Sequence, residues 1–258
     1  MNLKGAEEIT ECGLRRLIVR VSGREKNGKS TWALTAPPPI AYFDLNRRAD
    51  HVLDRFVGRG VHRYTYDKFL AREQADWKRQ WDKFCRDFAE AVGHAEVRSI
   101  VIDTDTDLWE TRRLAQWGRE SSVPDQYGAL NKDMRNLYDA VMATDKNLVV
   151  VSEMSKKYIK KIVRVRGVER ELGEWDGSYE PKGWGNAGYK VEMNLEINFD
   201  PEEKEFTTKV VNCGINALLA GNEYEGLENN FPGVATEVFP DTDMDYWGFD
   251  EYVAGLGG

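Results

Sequence analysis

Residues 23–30 read Gly-Arg-Glu-Lys-Asn-Gly-Lys-Ser, the pattern G-x-x-x-x-G-K-[ST]. A β-branched run, Leu17-Ile18-Val19-Arg20-Val21, precedes it, and a helix-compatible stretch, Ser30-Thr31-Trp32-Ala33-Leu34, follows. Strand, glycine-bearing loop and helix in that order are the setting in which the pattern cradles phosphate. Gly23 and Gly28 free the backbone to turn, so that N–H groups face an anion. The pattern makes Gly23, Arg24, Glu25, Lys26, Asn27, Gly28, Lys29, Ser30 and Thr31 the candidate nucleotide-binding residues. Lys29 would reach the β- and γ-phosphates, and the Ser30 hydroxyl would bind Mg²⁺.

The rest of the chain reads as the fold that such a loop needs. Ile40–Asp44, Val61–Tyr66, Ser99–Asp103 and Asn147–Ser152 are strand candidates, three of them apolar without alternation. Trp77, Trp81, Phe84, Cys85, Phe88 and Val92 recur at helical spacing, and further helices are expected near 106–117 and 127–143. Apolar strands interleaved with helices predict an α/β fold with a mostly parallel sheet covered on both faces. Tyr189–Ile197 alternates and predicts a half-buried strand, with Phe206–Val211 as its hairpin partner and 200–203 as the turn.

Charge divides the chain unevenly. The net charge is −8, yet no Lys or Arg follows Lys209, and 210–258 carry nine acidic residues. The body is near neutral, so overall acidity does not exclude a nucleic-acid groove on it. Residues 156–170 hold seven Lys/Arg against one acid. There Lys156, Lys157, Lys160, Lys161, Arg164 and Arg166 alternate with Tyr158, Ile159 and Ile162. Cations for phosphates beside apolar faces for bases suit single-stranded nucleic acid. A solvated charged face and a kinase-like lid are the competing readings. Arg112, Arg113, Trp117 and Arg119 form a smaller cluster that could line the same groove. Residues 221–258 read as an acidic, aromatic tail following a core over 1–220; Phe231, Phe239, Tyr246, Trp247 and Phe249 suggest that part of it docks. Cys12, Cys85 and Cys213 are odd in number and widely spaced, which predicts thiols in a reducing, cytoplasmic setting.

Asp103 ends an apolar strand and is placed to hold the Mg²⁺ water shell beside Ser30. Asp105 and Asp107 read as caps of the next helix. Asp44 and Glu153 end strands on the sheet's carboxyl edge, where either can polarise water. No N-K-x-D guanine signature occurs, which favours ATP.

The order of phosphate loop, Asp44 strand, Asp103 strand, apolar 148–152 strand, basic segment and two-stranded ribbon resembles the RecA-type ATPases over roughly residues 14–220. Within them it is most similar to the short phage Sak-type annealing and recombination proteins. Gly183-Trp184-Gly185-Asn186-Ala187-Gly188-Tyr189-Lys190 resembles the segment closing the second DNA-binding loop of RecA. The resemblance implies a RecA-like core with a C-terminal antiparallel hairpin, and ATP and Mg²⁺ as ligands. It also implies DNA-binding segments at 154–188 and 109–127, adding Lys182, Trp184 and Lys190 to the DNA-binding set. An oligomer on single-stranded DNA follows too, with a replication or single-strand-binding protein as a further partner. Asn46 stands where the family has a catalytic Glu, and Asn212 and Gly214 where it has two lysines acting across subunits. Lys182, or Lys156 and Lys157, are possible substitutes. A P-loop small-molecule kinase and a nucleotide-dependent adaptor that does not hydrolyse ATP remain as alternatives.

Overall fold

The computed structural model describes residues 15–118, 127–165 and 168–250. The strand β1 (Ile18–Gly23) is buried along its whole length. It leads through the loop into a short helix α1 (Lys29–Ala33), which ends ahead of the Pro37–Pro39 run. There follow β2 (Ile40–Asp44), a turn of helix α2 (Asp50–Leu53), β3 (Val61–Thr65), the 20-residue α3 (Gln74–Gly93), β4 (Ser99–Asp103), α4 (Asp105–Trp117) and α5 (Gly128–Met142). The second half contains β5 (Asn147–Val165), β6 (Val168–Pro181), the turn α6 (Ala187–Lys190), β7 (Met193–Asp200), β8 (Glu205–Cys213), β9 (Glu223–Tyr224) and α7 (Phe231–Val238).

The sheet runs β3-β2-β4-β5-β1-β7-β8-β9. Its pairings are parallel from β3 to β7 and antiparallel from β7 to β9. This is an α/β core: a mostly parallel sheet flanked by helices and ending in an antiparallel ribbon. Period-2 alternation assigns each side chain to a face. Val19, Val21, Tyr42, Val101, Val149 and Val151 pack on one side with Trp32, Phe231 and Trp247. Ile18, Phe43, Ile100, Ile102, Leu148 and Val150 pack on the other with Phe84, Phe88, Leu108, Met134 and Tyr138. The strands have no polar face because helices cover both sides. Among the described residues, no helix is long and apolar enough to cross a membrane.

Three expectations change. The strand expected at 147–152 does not stop at Glu153; β5 continues to Val165 and returns as β6, so the segment expected as a loop is a long antiparallel hairpin. Its register sets a cationic arm against an acidic one, with Ile159 opposite Glu174, Ile162 opposite Glu171 and Arg164 opposite Glu169. Second, β7 begins at Met193, not Tyr189, because pairing with β1 starts at Val19↔Met193 and the residues before it make a helical turn. Third, residues 231–247 dock as the aromatic residues suggest, but more extensively than a tail with a few anchors. Phe231, Val234, Ala235, Val238 and Trp247 belong to the core, and the Phe231 N–H donates to Thr35 Oγ1 at 2.8 Å. Phe231, Val234, Ala235 and Val238 fall at i, i+3, i+4 and i+7, and with Pro232 and Gly233 also buried most of α7 is enclosed against the core.

Candidate nucleotide site

The loop is held open by local geometry. Gly28 is left-handed at φ 79°, with the Phe206 ring 3.3 Å from where a Cβ would sit. Gly23 is needed for a different reason from the one its place in the loop suggests. A Cβ there would lie 2.6 Å from the Ile197 carbonyl oxygen, so close approach of β7, and not a turn, demands glycine. Asn27 Nδ2 donates to the same carbonyl at 3.1 Å, and Lys29 Nζ donates to the Arg24 carbonyl at 2.6 Å, bridging the loop.

Strand parity delivers the remaining groups. Tyr42, Asp103 and Val151 share a face, and Glu153, two residues past Val151, lies opposite Gly23. A cleft of about 440 Å³ lies there, lined by Glu25, Lys26, Lys29, Ser30, Asn46, Arg48, Asp103, Thr104, Glu153 and Met154. Ser30 Oγ and Tyr42 OH each donate to Asp103 Oδ2 at 2.6 Å. Burial raises the Asp103 carboxyl above its ordinary range against the pull of those two hydrogen bonds. Burial likewise lowers the Lys29 ammonium, opposed by Asp103 and Glu153, and raises the Tyr42 phenol. A second cleft of about 360 Å³ adjoins the other side of the loop, between Gly28, Thr31, Trp32, Arg55, Phe206 and Asn229. The loop thus separates a polar, acid- and lysine-lined cleft from one walled by two aromatic rings.

The metal donors fit Mg²⁺. A hydroxyl and a carboxylate converge, both hard oxygen ligands, and Mg²⁺ takes only one or two such groups while keeping waters and phosphate oxygens. Among the described residues there is no cluster of three or more His, Cys, Asp or Glu that would suit a different metal.

Other expected site residues fall elsewhere. Asp44 is fully buried and held by Arg63, whose Nε donates to it at 2.9 Å, and it does not line the cleft. Arg63, arriving on β3, takes Oδ2, while the buried Oδ1 has no hydrogen-bond partner among the described residues; lying outside the cleft lining, Asp44 is not placed to polarise water there. Asn46 lines the cleft, but its amide is engaged at both ends, accepting from the Arg48 N–H at 3.0 Å and donating to Asp107 at 3.3 Å. Glu153 also lines the cleft, with its side chain 41% exposed.

Asp105 and Asp107 are not simple caps. Thr104 caps α4 by accepting from the Asp107 N–H. Asp107 pairs with Lys68, and Asp105 sits in the core accepting from Ser152 Oγ at 2.8 Å, with Arg20 at 3.8 Å. Burial pushes the Asp105 carboxyl up to about 7.

Among the expected nucleic-acid residues, Lys156 and Lys157 lie on β5, over the Trp175 ring and beside Asp176 respectively. Lys160 is exposed on the same strand. The side chains of Lys161 and Arg164, and Arg166 and Arg119 altogether, lie outside the described residues. Trp184 is 1% exposed, packs on Tyr138 and donates to Asn131 Oδ1 at 2.9 Å; it is a core residue and cannot stack on a base. Lys190 pairs with Asp139, and Arg112 pairs with Asp133 under Trp81, so both cations serve helix packing. Arg113 lies over Trp109, on the same helix as Arg112.

Sequence reasoning missed Tyr42, Arg48, Arg20 and the Phe206–Asn229 wall. Tyr42 carried a signal, since it shares strand parity with Asp44; the others are placed only by tertiary contacts.

A phosphate loop after the first strand of a mostly parallel sheet, with a buried Asp beside its Ser, is the arrangement of a P-loop protein. The chain belongs to the AAA domain family, whose model matches residues 15–174. It is similar in structure to the RadB recombinase, with 12% identity, a TM-score of 0.48, and coverage of 81% of this chain and 86% of that one. It is also similar to a KaiC-like protein from the hyperthermophilic archaeon Pyrococcus horikoshii, with 10% identity, a TM-score of 0.48, and coverage of 81% and 84%. No curated protein matches its sequence.

Proposed function

We propose that this protein binds ATP-Mg²⁺ in the loop cleft and uses it to set the β5–β6 hairpin on single-stranded DNA, promoting annealing or strand exchange as an oligomer. The observation that carries the reading is the direct contact between loop and hairpin. Arg24 of the loop stacks over Tyr179 near the base of β6 at 5.1 Å. Glu153 stands in the cleft on the same continuous strand that bears Lys156, Lys157 and Lys160. A change at the phosphates therefore reaches the cationic arm through one ring contact and one strand. Tyr158, Ile159, Ile162 and Trp175 leave apolar surface exposed along that hairpin, as base stacking requires. The phage-type recombination setting and a single-strand-binding partner follow from the sequence resemblance alone.

Lys29 binds the phosphates, Ser30 and Asp103 hold Mg²⁺, and the cleft between Trp32 and Phe206 takes the base. Mg²⁺, when bound, neutralises charge on the β- and γ-phosphates. Glu153 orients water. The water oxygen bonds to the γ-phosphorus, the bond to the β-bridging oxygen breaks with its electrons going to ADP, and the water proton passes to Glu153 and then to inorganic phosphate.

The competing reading, a nucleotide-dependent adaptor without turnover, is favoured by the engaged Asn46 amide and the Arg63-bound Asp44. Anisotropy of a labelled single-stranded oligonucleotide, titrated at several salt concentrations with and without ATP-Mg²⁺, tests the proposal. Salt-sensitive binding that shifts with nucleotide supports it. No binding at low salt in any nucleotide state sinks it.

A further inference from the structure

Phosphoryl transfer to water gains from a cation at the terminal phosphate, and a missing one costs ~10³-fold or more. The end of β8 supplies none. Asn212 Oδ1 accepts from Asn194 Nδ2 at 2.9 Å, and position 214 is glycine. Lys182, just past the end of β6, does not line the cleft but is fixed beside Glu153, which does. Its N–H donates to the Glu153 carbonyl at 2.7 Å. Its carbonyl accepts from Arg20 and from Thr106 Oγ1, each at 3.2 Å. Gly183 follows at φ 117°, and a Cβ there would lie 2.5 Å from Asp105 Oδ1. That carboxylate is itself held by Ser152. The strand entering the phosphate loop, the helix following Asp103 and β5 thus all fix this one backbone position. The side chain is 58% exposed, with Nζ 4.0 Å from Glu153 Oε2. Glu153 faces the cleft that Lys29 and Ser30 line.

Resting on the ATP-hydrolysing reading above, we propose that Lys182 is the cation this chain supplies to the terminal phosphate of its own nucleotide. Without nucleotide it rests on Glu153. With nucleotide bound, a flexible four-carbon stem on a fixed backbone carries the ammonium from the carboxylate to the γ-phosphate oxygens. There it donates hydrogen bonds as negative charge shifts to the leaving β-oxygen, and it is regenerated unchanged on product release. Glu153 is released from the pair at the same step and can orient water. The anchoring of Lys182 also ties catalysis to the hairpin, since Pro181 is the last residue of β6. Arg48 and Lys26 are competing cations in the cleft, but Arg48 lies in the exposed turn after β2 and Lys26 in the exposed part of the phosphate loop.

The test measures fluorescent-ATP affinity and phosphate release by the full chain without DNA, in wild type, Lys182→Ala, Lys182→Arg and Arg48→Ala. Lys182→Ala is expected to bind ATP within about 3-fold of wild type and to turn over about 100-fold or more slowly. Lys182→Arg should recover much of that loss, and the rate per chain should not fall on dilution. Wild-type turnover in Lys182→Ala overturns the assignment, as does a loss confined to Arg48→Ala or a rate that falls with dilution. Affinity lost in step with turnover would make Lys182 structural and also overturn it. Tight ATP binding by wild type with no turnover overturns this inference together with the hydrolytic step on which it rests, and leaves nucleotide binding standing. Absence of ATP binding by wild type overturns the nucleotide reading with it.

Discussion

The loop cleft and the β5–β6 hairpin lie along one strand and are stabilised in opposite ways. At the cleft, β5 is a central strand with parallel neighbours on both sides, and Val149, Val150 and Val151 are fully buried. A dozen residues later the same strand has only β6 beside it, and Ile162 is 70% exposed. Polar groups in the cleft are fixed by burial and by each other, as with Ser30, Tyr42 and Asp103. Those on the hairpin are fixed by backbone register and exposed pairs such as Lys157–Asp176, which add little stability. The contrast separates a preorganised chemical site from an arm whose free energy is small enough for a ligand to redirect. Register also places Glu169, Glu171 and Glu174 opposite the cationic arm, so the hairpin is a ribbon of mixed charge.

Breaking the sheet core should have the largest effect. Trp184→Ala removes a buried ring packed on Tyr138 of α5 and should cost about 3–5 kcal/mol in chemical denaturation, whereas Ile162→Ser on the hairpin should stay within about 0.5 kcal/mol. Equal costs would mean that the hairpin is part of the cooperative core. The buried Asp105 gives the next largest effect, through pH. Its folded value near 7 lies above its ordinary one of 3.8, so between those values the folded chain holds a proton that the unfolded chain lacks. Its contribution to stability therefore rises as pH falls from about 7 towards 4, by at most ~1.4 kcal/mol per pH unit. Asp105→Asn should remove that component, seen as a changed pH slope of the denaturation midpoint relative to wild type.

Function separates the regions more finely. Lys29→Ala should weaken ATP-Mg²⁺ binding by about 10–100-fold, the worth of a charged hydrogen bond, measured by calorimetry with stability unchanged. Lys156, Lys157 and Lys160 changed together to Ala should leave ATP affinity intact and reduce the salt slope of single-strand binding by about 2. A slope equal to that of wild type would remove β5 from the nucleic-acid surface. Arg24→Ala is the smallest change and the sharpest on coupling. Loss of its stack on Tyr179 should alter the ATP response of DNA binding by about 2–5-fold, more than it changes ATP affinity, because the loop's contact with Lys29 is made by the Arg24 backbone carbonyl.

Much of the nucleotide site was legible because it is encoded locally. The loop pattern, the apolar strand before it and the Asp closing another apolar strand each occupy a few consecutive residues. Strand parity carries them to the same sheet edge. The helices α3, α4 and α5 were equally legible from 3.6-residue periodicity. Less legible was α7: its apolar spacing was present in the sequence, but the acidic composition around it pointed to a solvated tail. Polar residues changed roles most. Asp44, Asp105, Lys190 and Arg112 each gained a counter-ion distant in sequence, and Trp184 turned inward onto Tyr138. Sequence by itself determined the loop, the parallel sheet and the carboxylate beside Ser30, because backbone propensity and hydrophobic period act over short stretches. Tertiary structure alone decided which carboxylate stays free, which cation reaches it and that the basic segment is a hairpin. Ion pairing and strand register join residues that are far apart in the chain, and no local pattern records the partner.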